Sequence, residues 1–395
     1  MATSTLKTTP NLSLLQILVL LLGRFTFNTG FRVIYPLLPL LANGLQVSLS
    51  MVSLLVTVQV GATMLSPLGG MLADRFGERR SMLIGLGIFI FGAAICALAS
   101  SFMPFMLGYT LIGIATALYM SPAQAYASAR SAYTERARIL GLLELSWAAS
   151  ALLGVAALTQ LIAWQASWTP AFVVLGIAAL LTFGLTIILL SPGTLQPHTR
   201  TTTTTGGLTL LRRSDILAAL GMMFFQLLAA ELIFVIYATW LERDFAASTE
   251  QIGLIFGLLG IVELGGALTA TLFTDRIGKR RAVLIGFAGV AIFQALLPLS
   301  SGHWLLFLAL FLLFDLCFEF AIVSAFPLMS GLTEHGRGTV LALMVAMMGL
   351  GRVVGSLAGP ALFLTIGIWG NGLLAAAGAI IGVLLCFWLV PEGHA

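Results

Sequence analysis

A chain of 395 residues that is 59% hydrophobic and 9% charged carries about a third of the charge of an ordinary soluble domain, which excludes a fold whose surface lies mostly in water. Its net charge of +4 gathers in short polar breaks between long apolar runs. That pattern belongs to membrane topology and to contact with anionic lipid headgroups, not to nucleic-acid binding.

Residues 1–10 are polar and lead into an apolar run too long and too Arg-interrupted for a cleaved signal, so a retained first span is expected. A helix of about 20 apolar residues crosses the hydrocarbon core. Spans are expected at 14–41, 49–73, 81–99, 102–127, 139–163 and 170–190, and again at 216–241, 251–273, 282–300, 304–329, 339–366 and 370–390. Between the two sets, residues 192–213 hold Pro192, Pro197, the run Thr201 to Thr205 and Gly206-Gly207, a low-complexity linker dividing a first half, 1–191, from a second, 214–395. Lys and Arg outside the spans fall almost entirely on one side of this arrangement, with Arg243 alone on the other. The basic side, with both termini, is therefore expected to face the cytoplasm of a multi-pass cell-membrane protein. Cys96, Cys317 and Cys386 each sit inside an apolar run and read as buried small hydrophobes, not as disulfide or metal ligands.

One break is unusually rich in charge: Gly70-Met71-Leu72-Ala73-Asp74-Arg75-Phe76-Gly77-Glu78-Arg79-Arg80. It recurs in the second half, where Asp275, Arg276, Gly278, Arg280 and Arg281 match Asp74, Arg75, Gly77, Arg79 and Arg80. The chain reads as a tandem repeat of two six-span units.

Both copies resemble the loop signature of the major facilitator superfamily, which joins the second and third helices of each half. Glu78 stands where that family usually has a basic residue, and Thr271 replaces the leading Gly of the second copy. The resemblance implies an all-α membrane protein of twelve transmembrane helices in two pseudo-symmetric halves, a monomer, not an enzyme, with no cofactor or metal. It also implies that helices three, six, nine and twelve face lipid, that one, four, seven and ten line a central cavity, and that two, five, eight and eleven form the contact between halves.

Ionisable residues inside a membrane are costly and mark function or pairing. Arg24 and Arg32 lie in the first span, Glu144 in the fifth, Glu231 in the seventh, Glu263 in the eighth, Asp315 and Glu319 in the tenth, and Arg352 in the eleventh. The expected lipid-facing spans carry none. Arg24, Asn28 and Arg32 recur every four residues and share a helical face, as do Asp315 and Glu319. Two carboxylates that close resist carrying two charges at once. Arg24, Asn28, Arg32, Glu231, Asp315 and Glu319 are therefore expected to handle substrate and protons. Glu144, Glu263 and Arg352 are expected to gate, together with loop residues Gly70, Asp74, Arg75, Gly77, Arg79, Arg80, Asp275, Arg276 and Gly278. The resemblance places Asp74 against the start of the eleventh helix, where dipole and free backbone donors favour an anion, and Arg75 and Arg79 near carboxylates such as Glu135. The competing reading pairs each intramembrane Arg with a neighbouring carboxylate, or lets Arg32 reach the headgroups.

Gly349-Leu350-Gly351-Arg352-Val353-Val354-Gly355 follows no strand, and its small residues suit close helix packing, not nucleotide binding. Gly154 is followed by Val155, so the Gly-Pro pair of the antiporter branch is missing, while Gly141-Leu142-Leu143-Glu144-Leu145-Ser146-Trp147 is similar to efflux-permease-like members. The expected function is proton-coupled efflux of a small amphiphilic organic molecule by alternating access, with protons and membrane lipids as its other partners. The alternatives are a proton symporter for an organic anion, recognised by Arg24, and a non-transporting receptor or lipid-handling protein on the same fold.

Overall fold

A computed structural model describes residues 12–131, 133–192, 212–333 and 337–392. Most of the linker expected at 192–213 lies outside them. Among the described residues, 11 helices are long and apolar enough to cross a membrane, and a bent pair, Leu49–Thr63 and Ser66–Phe76, raises the number to 12 when it counts as one span.

Local chemistry sets where these helices start, bend and stop. Ser13 begins the first span with a capping box to Gln16. That span breaks at Val33 into Leu14–Arg32 and Ile34–Gly44, because Pro36 has no N–H to return to the carbonyl of Arg32. In the second span Pro67 opens the segment Ser66–Phe76, and the two parts meet at 42°. Gly77 and Gly278 close the second and eighth spans at φ 88° and 95°, a backbone state open to Gly and strained for other residues, which is why both copies of the loop keep it. The fifth span runs Tyr133–Ala149, then a π-helical stretch Ser150–Val155, then Ala156–Gln165. Such π turns are rare and concentrate at functional positions. Nothing in the residue pattern announced this one.

The loop arginines have a structural task that the sequence reading did not foresee. Arg79 donates from Nε to the carbonyl of Thr186 at 3.3 Å and from Nη2 to that of Ile187 at 2.6 Å, at the end of the sixth span Thr169–Leu189. Arg280 does the same for Cys386 and Phe387 in the twelfth span, Ile368–Leu389. The last carbonyls of a helix have no partners of their own, and each half uses its loop arginine to supply them. Arg79 is thus engaged with carbonyls, where a carboxylate such as Glu135 was expected. Glu78, the departure from the loop signature, lies 3.7 Å from Arg130 beyond the fourth span, Phe102–Ala129.

Contacts between the halves gather at the end of the molecule away from these loops. The segment Ile34–Gly44 packs on Tyr237–Phe245, the part of the seventh span away from the loops, and Gln160 donates to the carbonyl of Glu250 at 3.3 Å. Thr57 and Ser356 share a hydrogen bond of 2.8 Å between the second and eleventh spans. The eighth span, Thr249–Ile277, meets the fifth through Gly253, Gly257 and Gly260. A methyl group at Gly260 would come within 2.6 Å of the Ala148 carbonyl and 2.8 Å of the Leu152 nitrogen, both backbone. Within the second half, a methyl at Gly351 would lie 2.3 Å from the Phe224 carbonyl, in keeping with the packing role read from the Gly349–Gly355 stretch.

Overpacking of this kind costs about 1–3 kcal/mol. Gly260→Ala should therefore weaken the closed end and speed thiol labelling of a cysteine placed at buried Ile252 several-fold, in a background lacking the native cysteines. An unchanged rate would contradict this account of the seam.

Candidate functional site: a charged cavity between the halves

A cavity of about 470 Å³ lies between the two halves. The first span brings Arg24, Asn28, Arg32 and Tyr35 to its wall, and the fifth brings Glu144 and Trp147. From the second half come Glu231, Glu263, Asp315, Glu319 and Arg352. All eight intramembrane charges thus meet in one chamber. The expected separation of Glu144, Glu263 and Arg352 from the substrate-facing set is not seen in their placement, since they share this wall. Gly70, Asp74, Arg75, Gly77, Arg79 and Arg80, with Asp275, Arg276 and Gly278, lie apart from it in the loop segments.

Arg32 is the best-held side chain in the chamber. Its guanidinium donates from Nη1 to Glu263 Oε2 at 2.8 Å and from Nη2 to Oε1 at 2.5 Å, and Nη1 also reaches the Trp147 carbonyl at 3.2 Å. Its planar face lies 4.4 Å from the Trp147 ring and 5.0 Å from the Phe256 ring. A bidentate fork with aromatic stacking is a geometry that Lys could not reproduce. Both side chains are buried, so Arg32 does not extend to the headgroups.

One turn further on, Tyr35 donates its hydroxyl to Glu231 Oε1 at 3.0 Å. Its ring faces Phe256 at 6.5 Å, and Phe256 faces Tyr237 at 6.0 Å. Tyr35, Tyr237, Phe256 and the Arg32–Glu263 pair form a buried floor that closes the cavity on the side away from the loops. Beyond the floor lies a second hollow of about 410 Å³, lined by Pro36, Pro39 and Glu242 among others. Tyr35 was missed by sequence reasoning, though its spacing of three from Arg32 puts it on the same helical face.

Towards the loops the wall is wetter. Arg24 Nη2 meets Glu144 Oε1 at 2.9 Å, and the Glu144 side chain is 58% exposed. Asn28 donates to Ser146 Oγ at 3.0 Å. The tenth span, Trp304–Gly331, presents Asp315 and Glu319 one turn apart. Asp315 is 1% exposed, yet its Oδ2 has no hydrogen-bond partner. Arg32, Glu263 and Glu319 act on it electrostatically. Arg352 makes no hydrogen bond or ion pair among the described residues and lies within electrostatic reach of Tyr35, Glu231 and Glu319.

A family model described as Major Facilitator Superfamily matches residues 20–229 and 219–395. The chain belongs to the Major Facilitator Superfamily. It is a secondary transporter, not an enzyme, and a multi-pass membrane protein that carries a small-molecule substrate. This superfamily member is 27% identical to the uncharacterized MFS-type transporter YwfA of Bacillus subtilis, across 96% of the chain and 93% of that protein. It is 31% identical to the methylenomycin A resistance protein of the same organism across 40% of the chain and 35% of that protein. A crystal structure of a D-xylose-proton symporter superposes with a TM-score of 0.80 at 20% identity, covering 95% of this chain and 97% of that one, a likeness of fold alone.

The two ion pairs of the cavity should differ sharply in strength. Glu263→Gln leaves Arg32 buried without its partner charge, which costs about 3–5 kcal/mol, whereas Glu144→Gln disturbs a half-exposed pair worth about 0–1 kcal/mol. Thermal unfolding in detergent should show a large loss for the first and little change for the second. Equal losses would contradict the ranking.

Proposed function

We propose that the protein exports a small amphiphilic organic molecule across the cell membrane in exchange for protons, its two halves rocking about the central cavity. The observation that carries this reading is the arrangement of carboxylates. Glu263 and Glu231 on the second half accept from Arg32 and Tyr35 on the first, while Asp315 and Glu319 face the same chamber beside them. A proton or cargo arriving at Asp315 and Glu319 changes the charge around Arg32, and Arg32 is a latch between the halves. Loading and closure are thereby linked. With the loop side facing the cytoplasm, the described state is closed outward and open inward, the state in which an exporter collects cargo.

Export draws support from the similarity to a resistance protein and from the efflux-permease-like stretch Gly141–Trp147. Anion symport would rest on Arg24, and Glu144 already occupies that guanidinium. A non-transporting receptor would have no use for buried carboxylates that bridge two movable halves. In the proposed cycle Asp74 and its loop act as a clasp at the start of the eleventh span, Arg337–Ile366, when the inner end closes.

The test uses proteoliposomes and a ligand found by thermal-shift screening. Asp315→Asn, Glu319→Gln and Glu231→Gln are each assayed for accumulation driven by a pH gradient and for exchange at zero gradient. At least one variant should lose most of the first activity and keep the second. If all three accumulate ligand like the parent, the carboxylates do not carry the coupling proton.

A further inference from the structure

The charges in the cavity do not balance. Three guanidiniums, Arg24, Arg32 and Arg352, face five carboxylates, Glu144, Glu231, Glu263, Asp315 and Glu319. Arg24 is held by Glu144 and Arg32 by Glu263, so each of these pairs is neutral. What remains is Arg352 against Glu231, Asp315 and Glu319. With every group ionised the chamber carries two uncompensated negative charges.

Their location is as informative as their number. Glu231 has the Tyr35 hydroxyl, and Arg352 acts on both Glu231 and Glu319. Asp315 has the weakest compensation: it is buried, faces the cavity, and keeps one carboxylate oxygen without any hydrogen-bond donor. A buried acceptor left open in this way costs free energy unless a ligand, a proton or water satisfies it. The wall around it is apolar, with Phe31, Leu227, Phe234, Phe318, Ile322 and Phe326 lining the same chamber. Phe234 and Phe318 pack edge to face with their centroids 6.0 Å apart. Aromatic faces beside a carboxylate are an environment that attracts a desolvated cation and gives nothing to an anion.

We propose that the cargo is an organic monocation with an apolar or aromatic body, its charge seated at Asp315 and Glu319 and its body against the aromatic wall. The proposal rests on the proton-exchange reading above for the return step, but not for binding. When the cation enters, one carboxyl O–H bond breaks heterolytically and the proton leaves through the open, loop-side mouth to water. When the cation departs, a proton takes its place. The chamber keeps the same charge in both crossings, which spares the cost of carrying an uncompensated charge through a low-dielectric seam. No electrons move, and no cofactor enters the step.

A matched pair of probes separates charge from shape: tetraphenylphosphonium is a cation and tetraphenylborate an anion of nearly the same size and surface. Benzyltrimethylammonium supplies a smaller cation. Binding is measured on the full chain in nanodiscs, with proton release followed in weakly buffered solution. At least one cation should bind saturably and release about one proton per molecule bound, and tetraphenylborate should not compete. Asp315→Asn should weaken cation binding at least ten-fold and abolish the release, and Asp315→Glu should restore part of both. Ser101→Ala, an exposed position outside the chamber, should leave both unchanged, and size-exclusion profiles identify any variant that has not folded. Saturable binding of tetraphenylborate in place of the cations overturns the proposal. So does binding of neither cation, or cation binding that Asp315→Asn and Glu319→Gln leave intact. Gradient-driven accumulation of a neutral or anionic compound would leave transport standing and remove the cation. Cation binding with proton release but no gradient-driven movement would do the reverse.

Discussion

The Arg32–Glu263 fork is the interaction on which the rest of this structure depends. It joins the first half to the second across 231 positions of sequence, buries both charges, and sits where the cavity meets the closed seam. A buried ion pair adds little net stability compared with apolar packing, but breaking one is expensive. That asymmetry suits a latch, because the two halves either keep the pair intact or must offer both charges new partners before they part. The wet chamber beside it, with Asp315, Glu319 and Arg352 on its wall, is where such partners can be found.

Packing reinforces the latch. Gly253, Gly257 and Gly260 let the eighth span approach the fifth closely, and on the opposite face of the fifth span Gly154 leaves room for the Thr29 side chain. The π-helical stretch Ser150–Val155 occupies this crossing, between the first span and the eighth. Helices that meet backbone to backbone separate as rigid units and do not deform gradually, which favours two discrete arrangements of the halves.

Much of this was legible in the residues. The repeated Asp-Arg-x-Gly loop disclosed the two halves, and the positive φ of Gly77 and Gly278, strained for any other residue, explains why the spacing survives in both. The four spans without intramembrane charge contribute no side chain to the cavity among the described residues. The four-residue spacings of Arg24, Asn28 and Arg32 and of Asp315 and Glu319 placed them together on a cavity wall, where they lie. What stayed hidden was partner choice. Periodicity assigns a side chain to a helix face but does not say which distant helix lies opposite, so Arg32 with Glu263, Arg24 with Glu144 and Tyr35 with Glu231 could not be read. The loop arginines were misjudged for a related reason. Free carbonyls at a helix end leave no trace in side-chain identity, and Arg79 and Arg280 serve those carbonyls.

The central claim is that Arg32–Glu263 and Tyr35–Glu231 hold the end away from the loops closed while the loop end stands open. Electron–electron double resonance on two spin-label pairs addresses it directly, with Asn43 and Glu250 reporting the closed end and Arg80 and Arg281 the loop end. All four positions are exposed. In a Glu231→Gln, Glu263→Gln background the account predicts that the Asn43–Glu250 distance lengthens while the Arg80–Arg281 distance shortens. Distances that stay fixed, or that lengthen together, would contradict it.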